Sequence, residues 1–149
     1  MIHVQAQSEP PSVAPDLIRA AAEAALAHLR ATGELTVVLA GDAQLRALNR
    51  RYLGIDAATD VLAFPAEQPD PESGARYLGD ILISVHRARV QARRAGHPLE
   101  AEVQLLVVHG VLHLLGHDHA EAPAKSRMWS AQTAVLRSLG LQDIVVDDT

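Results

Sequence analysis

From Val103 to Leu115 the chain reads VQLLVVHGVLHLL, an apolar run that has to be buried over most of its circumference. Gln104, His109 and His113 interrupt it and it is too short to span a membrane, so it reads as a buried helix. Residues four apart on a helix share a face, which makes His109 and His113 present two ring nitrogens to one point in space. Gly116, just past the end of the run, is the residue best able to turn the backbone through a left-handed conformation, and it is expected to return His119 toward the pair. Three imidazoles leave one tetrahedral position for water, the arrangement of catalytic rather than structural zinc. A closed structural site would need a fourth ligand. His117 and Asp118 are the neighbours available, but alternate residues of a tight turn seldom converge on one ion. Asp118 reads instead as an acceptor that fixes the tautomer of a ligand imidazole, and His117 as partly exposed or lining the cleft. The bland alternative is a helix whose histidines are satisfied core or surface residues. The third histidine and the glycine favour the metal.

The spacing of the three histidines and the glycine is that of the long metzincin zinc signature, HExxHxxGxxH. One residue departs. Where the protease pattern carries its general-base glutamate this chain has Gly110, which cannot accept a proton. Peptide hydrolysis by the glutamate route is therefore disfavoured, and a hydrolase of this type would rely on zinc to acidify its water or draw a base from elsewhere.

Composition sets the outer bounds. With 149 residues and 48% hydrophobic side chains the chain is long enough for one domain with a proper core. It has no cysteine, so disulfides and thiolate metal sites are excluded, which fits a reducing compartment. The start, MIHVQAQ, lacks the basic and apolar regions of a signal peptide, and a soluble cytoplasmic protein is the default expectation. A net charge of −5 argues against a wholesale nucleic-acid binder. The distribution differs: from Arg46 to Arg94 there are eight arginines against six acids, with Arg87, Arg89, Arg93 and Arg94 on one predicted helix. Such a face either contacts phosphates or is simply solvated.

Periodicity and punctuation give a β-α-β-α-β-β-α-α-α order. Strands are predicted at Ile2–Gln7, Leu35–Ala40, Val61–Phe64 and Leu78–Val85. Helices are predicted at Asp16–Ala31 with Gly33 as the stop, from a capping Asp42 to Asn49 or Tyr52, and at His86–Ala95, Leu99–Leu115 and Ala122–Leu139. Ser8–Pro15 and Pro65–Gly74 read as loops. The expected class is α+β, a small mixed sheet of about four strands packed with some five helices, with a metzincin-like zinc site on a helix-turn.

Three segments make a resemblance specific. LNRRYLGIDAATDVLAFP (Leu48–Pro65), GDILIS (Gly79–Ser84) and HGVLHLLGHDH (His109–His119), in this order and spacing, resemble the YbeY family of bacterial rRNA-maturation endoribonucleases over residues 35–140. The resemblance implies a single metal-dependent hydrolase domain over 1–149. It also implies one zinc ion, with other divalent metals possible, held by His109, His113 and His119. The implied activity is single-strand-specific cleavage of a small-subunit rRNA precursor at its 3′ end, with a part in ribosome quality control. The implied partners are the ribosome with a small-subunit platform protein and an Era-like GTPase, and no membrane. Family members commonly follow the tyrosine of LNxxYR with a functional arginine, but here Tyr52 is followed by Leu53. Arg51 and Arg50 are then the nearest residues to supply that charge, and Arg51 joins the three histidines as a candidate catalytic residue. His117 replaces the residue the family often has before the final Asp-His, adding a titratable group beside the metal.

The chemistry needed is a nucleophile, a charge sink for the phosphorane-like transition state and protonation of the leaving group. Zinc and arginine suit the second, while the nucleophile is either hydroxide or the substrate's own 2′-hydroxyl. Met128 is expected either to underlie the metal or, with Trp129, to be ordinary helix core. Thr59 and Asp60 read as turn and cap chemistry, with a place in the cleft wall as the alternative, and His86 and His97 read as loop or helix surface. A noncatalytic, metal-stabilised assembly factor binding rRNA and ribosomal proteins is the reading from a different class. A metalloprotease is a third, disfavoured by Gly110.

Overall fold

A computed structural model describes residues 1–7, 12–66, 76–117 and 122–144. Four strands, β1 (Ile2–Ala6), β2 (Glu34–Ala40), β3 (Val61–Pro65) and β4 (Tyr77–Ser84), form one mixed sheet in the order β1-β2-β4-β3. β1 and β4 flank β2 in parallel, and β3 pairs antiparallel with β4 at the edge, Ala63 opposite Ile81. The five helices are α1 (Pro15–His28), α2 (Asp42–Leu53), α3 (Val85–Ala95), α4 (Leu99–Leu114) and α5 (Ala122–Ser138). This is the expected α+β order. The loop expected over Ser8–Pro15 lies partly, and that over Pro65–Gly74 mostly, outside the described residues.

Alternation along the strands divides the core. Leu35, Val37 and Leu39 of β2 and Ile81 and Ile83 of β4 point to the main cluster with α1, α4 and α5. Leu82, Leu62 and Ala40 point the other way, onto Leu45 of α2. Both faces of β4 are thus covered, which is why its sequence is nearly continuous in apolar residues.

α4 is apolar almost all round because it is buried almost all round. Its polar exceptions are each accounted for. Gln104 Nε2 donates to the Leu17 carbonyl at 2.9 Å, and Glu102 pairs with His97 at 2.6 Å. The helix crosses β4 at Gly110, where a Cβ would stand 2.8 Å from Ile81 Cγ2. The position that carries a glutamate in the protease signature therefore has no room for any side chain.

Several expected boundaries and roles change. α1 stops at His28 rather than running to Ala31. Arg30 takes the left-handed position (φ 52°), and Ala31 N–H bonds back to the Leu26 carbonyl at 2.9 Å. Gly33 is not the stop; it lies where a Cβ would meet the Arg76 carbonyl at 2.7 Å. Gly41, not Asp42, is the N-cap of α2, and Asp42 Oδ1 instead accepts from Ser84 Oγ and Arg87 Nε. His97 is not a surface residue, since its side chain is 7% exposed against Glu102. His86 is exposed as expected, and Met128, 1% exposed, is core.

The Gly110–Ile81 contact makes a size-swap test. Gly110→Ala is expected to lower unfolding free energy by about 1–3 kcal/mol through overpacking, more than the ~1 kcal/mol gained in helix propensity. Combined with Ile81→Ala it should lose clearly less than the sum of the two single losses in urea unfolding.

Candidate active site

One stripe of α4, Glu102, Leu105, Leu106, His109, Gly110 and His113, forms the floor of a cavity of about 630 Å³. The edge strand β3 makes one wall over its whole length, Val61–Pro65. The C-terminal turn of α2 contributes Tyr52 and Leu53, and α5 closes the far side with Trp129 and Gln132. The sheet order produces this arrangement, because it leaves β3 beside β4 at the edge while α4 crosses beneath both.

His109 and His113 meet as the four-residue spacing requires. Their Nε2 atoms are 3.1 Å apart and their ring centroids 4.7 Å apart. His109 Nδ1 lies 3.1 Å from Oε1 of Gln132, a residue only 1% exposed. The amide oxygen can only accept, so Nδ1 carries the proton and His109 Nε2 turns its lone pair toward His113. An imidazole held in that tautomer by an acceptor behind it is the usual form of a metal-ligating histidine. The separation also fits. With Zn–N bonds of about 2.0–2.1 Å, two tetrahedral ligand nitrogens stand about 3.3 Å apart.

Gly116 adopts the left-handed conformation expected after the helix (φ 93°), and His117 N–H bonds back to the Leu112 carbonyl at 2.9 Å. His119 and Asp118 lie outside the described residues, and among the described residues no third metal-capable side chain joins the pair. His117 is partly buried and lines a separate depression with Arg127, not the main cavity.

Asp60 combines the two roles weighed for it. Its Oδ1 accepts from Val61 N–H at 2.8 Å and its Oδ2 from Gln91 Nε2 at 3.2 Å, while both Thr59 and Asp60 face the cavity. Arg51 is exposed at the mouth, its guanidinium carbon 5.3 Å from the centroid of the Tyr52 ring, rather than on the cavity wall. Two residues were not anticipated. Glu102 was legible in principle, seven positions before His109 on the same stripe, whereas Gln132 comes from another helix and carries no local signal. Trp129 is wall rather than pure core: its ring centroid is 6.4 Å from that of His109, and its buried Nε1 finds no acceptor among the described residues.

Comparison with known proteins agrees with the layout. The family described as Endoribonuclease YbeY matches residues 3–140. The chain belongs to the endoribonuclease YbeY family. An Endoribonuclease YbeY of Deinococcus radiodurans is 46% identical over 123 residues, covering 82% of this chain and 79% of that one. One from a Roseiflexus species is 44% identical over 133 residues, covering 84% and 83%. The solution structure of a Thermotoga maritima protein shares the fold with a TM-score of 0.60 at 22% identity, over 99% of this chain and 97% of that one. Against this YbeY background, the histidine pair, the edge strand and the α2 turn together make up the cavity.

The Gln132 bond has a direct readout. In metal-free protein, nitrogen-15 NMR is expected to show His109 as the Nδ1–H tautomer, and Gln132→Leu should return it toward the mixture of a free imidazole.

Proposed function

We propose that the protein is a metal-dependent endoribonuclease that cuts single-stranded precursor RNA in maturation of the small-subunit rRNA 3′ end and in ribosome quality control. The observation that carries the chemistry is the His109–His113 pair, two Nε2 atoms 3.1 Å apart, with His109 fixed by Gln132 on the floor of a cavity. In this reading His109, His113 and His119 hold one zinc ion. Bound there, zinc would supply Lewis acidity toward a phosphoryl oxygen and a water of lowered pKa.

The chain's own residues set the rest. Phosphodiester cleavage forms a P–O bond to the entering oxygen, which loses its proton, breaks the P–O bond to the leaving oxygen, which gains one, and gathers negative charge on the phosphoryl oxygens. In this reading Arg51, exposed beside Tyr52, offsets the phosphate charge of the strand as it enters, in place of the arginine that Leu53 replaces. Gly110, closed off by Ile81, removes the carboxylate that peptide hydrolysis would use. Gln132 orients His109, and Asp60, held by Val61 N–H and Gln91, keeps the wall in place.

A cytoplasmic location and association with the small-subunit platform protein and an Era-like GTPase complete the proposal. They rest on the family resemblance. The exposed arginines of α3, Arg87, Arg89, Arg93 and Arg94, offer a basic face, of which Arg87 is engaged by Asp42 at 3.1 Å. Among the described residues no helix is long and apolar enough to cross a membrane.

His113→Ala is expected to abolish cleavage of a small-subunit rRNA precursor and loss of bound zinc should accompany it, with circular dichroism unchanged. Cleavage by rigorously metal-free wild type would refute the metal requirement. Gln132→Leu should weaken zinc binding by about 10–100-fold in competition with a chelator. Arg51→Gln should slow cleavage without changing metal content.

A further inference from the structure

We propose that Tyr52 is a stacking platform at the mouth of the cavity for one unpaired nucleobase of a single-stranded RNA, with Arg51 engaging a flanking phosphate. The inference deepens the ribonuclease reading and rests on it for the identity of the substrate.

The placement of aromatic residues is the first observation. The chain has one Phe, two Tyr and one Trp, and three of these four, Tyr52, Phe64 and Trp129, line the same cavity. The buried apolar residues are aliphatic or Met. Tyr52 is 57% exposed, an unusual cost for a large ring on a helix end that has a core available beneath it. Yet the ring is held. Its centroid is 5.3 Å from that of Phe64 at an interplanar angle of 59°, and the Arg51 guanidinium lies 5.3 Å away. A ring already fixed by neighbours loses little freedom when a base stacks on it.

The backbone beneath it is fixed as well. Gly54 closes α2 in the left-handed conformation (φ 72°), Asn49 Nδ2 donates to the Ala57 carbonyl at 3.0 Å, and Arg46 pairs with Asp56 at 2.9 Å. Asp56 is thereby taken up by Arg46, and neither Arg50 nor Arg51 has a carboxylate partner among the described residues. An exposed aromatic ring with a guanidinium already held against it, beside a cavity, is a combination that binds single-stranded nucleic acid: the π-system for a base, the guanidinium for the backbone. The neighbouring Leu53 and Ile55, also exposed, extend the apolar rim on which a splayed base can rest. A base paired in a duplex cannot offer its face, so the platform itself selects for single strands.

The test uses a 2′-O-methylated RNA decamer with phosphorothioate linkages and one 2-aminopurine, whose fluorescence is quenched on stacking; the methyl group blocks attack by the 2′-oxygen and the sulfur slows attack by hydroxide, so that binding is read without cleavage. Wild type is expected to bind with quenching. Tyr52→Ala should raise Kd by about tenfold or more and lose the quench, whereas Tyr52→Phe and Tyr52→Trp keep both. The same decamer annealed to its complement should bind wild type and Tyr52→Ala alike. Thermal midpoints of all variants should coincide, because the ring is outside the core. Undiminished affinity of Tyr52→Ala overturns the platform and leaves the patch to a protein partner; an equal loss in Tyr52→Phe overturns it in favour of the hydroxyl. Quenching by a wild type that cuts no precursor would refute the nuclease and keep the platform. A wild type that cuts, alongside a Tyr52→Ala that binds normally, would do the reverse.

Discussion

The contact between α4 and β4 at Gly110 and Ile81 is the constraint on which the rest of the structure depends. Removing a side chain at that point lets a helix apolar on nearly every face settle directly on the sheet, and burial of its flanks against α1, α3 and α5 follows. The close approach also fixes where the helix has no cover. His109 and His113 lie next to that crossing, on the side that looks past the edge strand, so the close helix–sheet packing and the candidate metal pair are two faces of one placement. The same glycine decides the chemistry negatively. A glutamate there would serve proteolysis, but its Cβ alone would overlap a fully buried isoleucine. Packing, rather than any feature of the metal, separates this site from the protease arrangement it resembles in spacing.

Sheet order supplies the second half of the site. An antiparallel strand added beside the last parallel one leaves β3 at the edge among the described residues, where it forms the cavity wall. Gly79 of β4 brings the two strands together closely: a Cβ there would stand 2.2 Å from the Phe64 carbonyl. Phe64 is thereby set where its ring supports Tyr52 from another element. Positions far apart in the chain, 52, 64, 109 and 132, converge because α2, β3 and α5 have little freedom once α4 is seated.

How much was legible in the sequence follows the range of the interaction. The α4 run, the His109–His113 spacing and the left-handed Gly116 depend on neighbours within one or two helical turns, and all three are seen in the structure. Element order was legible for the same reason. The end of α1 was not, because Arg30 adopts the conformation usually left to glycine, and the bond from Ala31 N–H to the Leu26 carbonyl holds it there. His97 looked like surface because a histidine beside a proline in a short loop carries no sign of burial. Only the carboxylate of Glu102, five residues on and turned inward by α4, makes its burial tolerable. Gln132 was invisible in the same way: an amide in an amphipathic helix becomes the orienting partner of His109 only when α5 docks. The convergence of His119 on the pair, which needs the Gly116 turn to be followed by three more residues, falls outside the described residues.

The chain divides its side chains by task. Aliphatic residues fill most of the two clusters on either face of the sheet, while the His109–His113 pair and three of the four aromatic rings gather on one cavity. That separation has an energetic consequence. A core of Leu, Ile, Val, Ala and Met derives most of its stability from burial away from the polar and aromatic site residues, so the cavity wall can carry an exposed tyrosine and a tryptophan Nε1 with no acceptor among the described residues at little risk to the fold. Such groups are poor choices for stability and good ones for a ligand with flat faces and acceptor atoms. In a chain with so few aromatic residues, their concentration at one place is better explained by what the cavity binds than by what the fold requires.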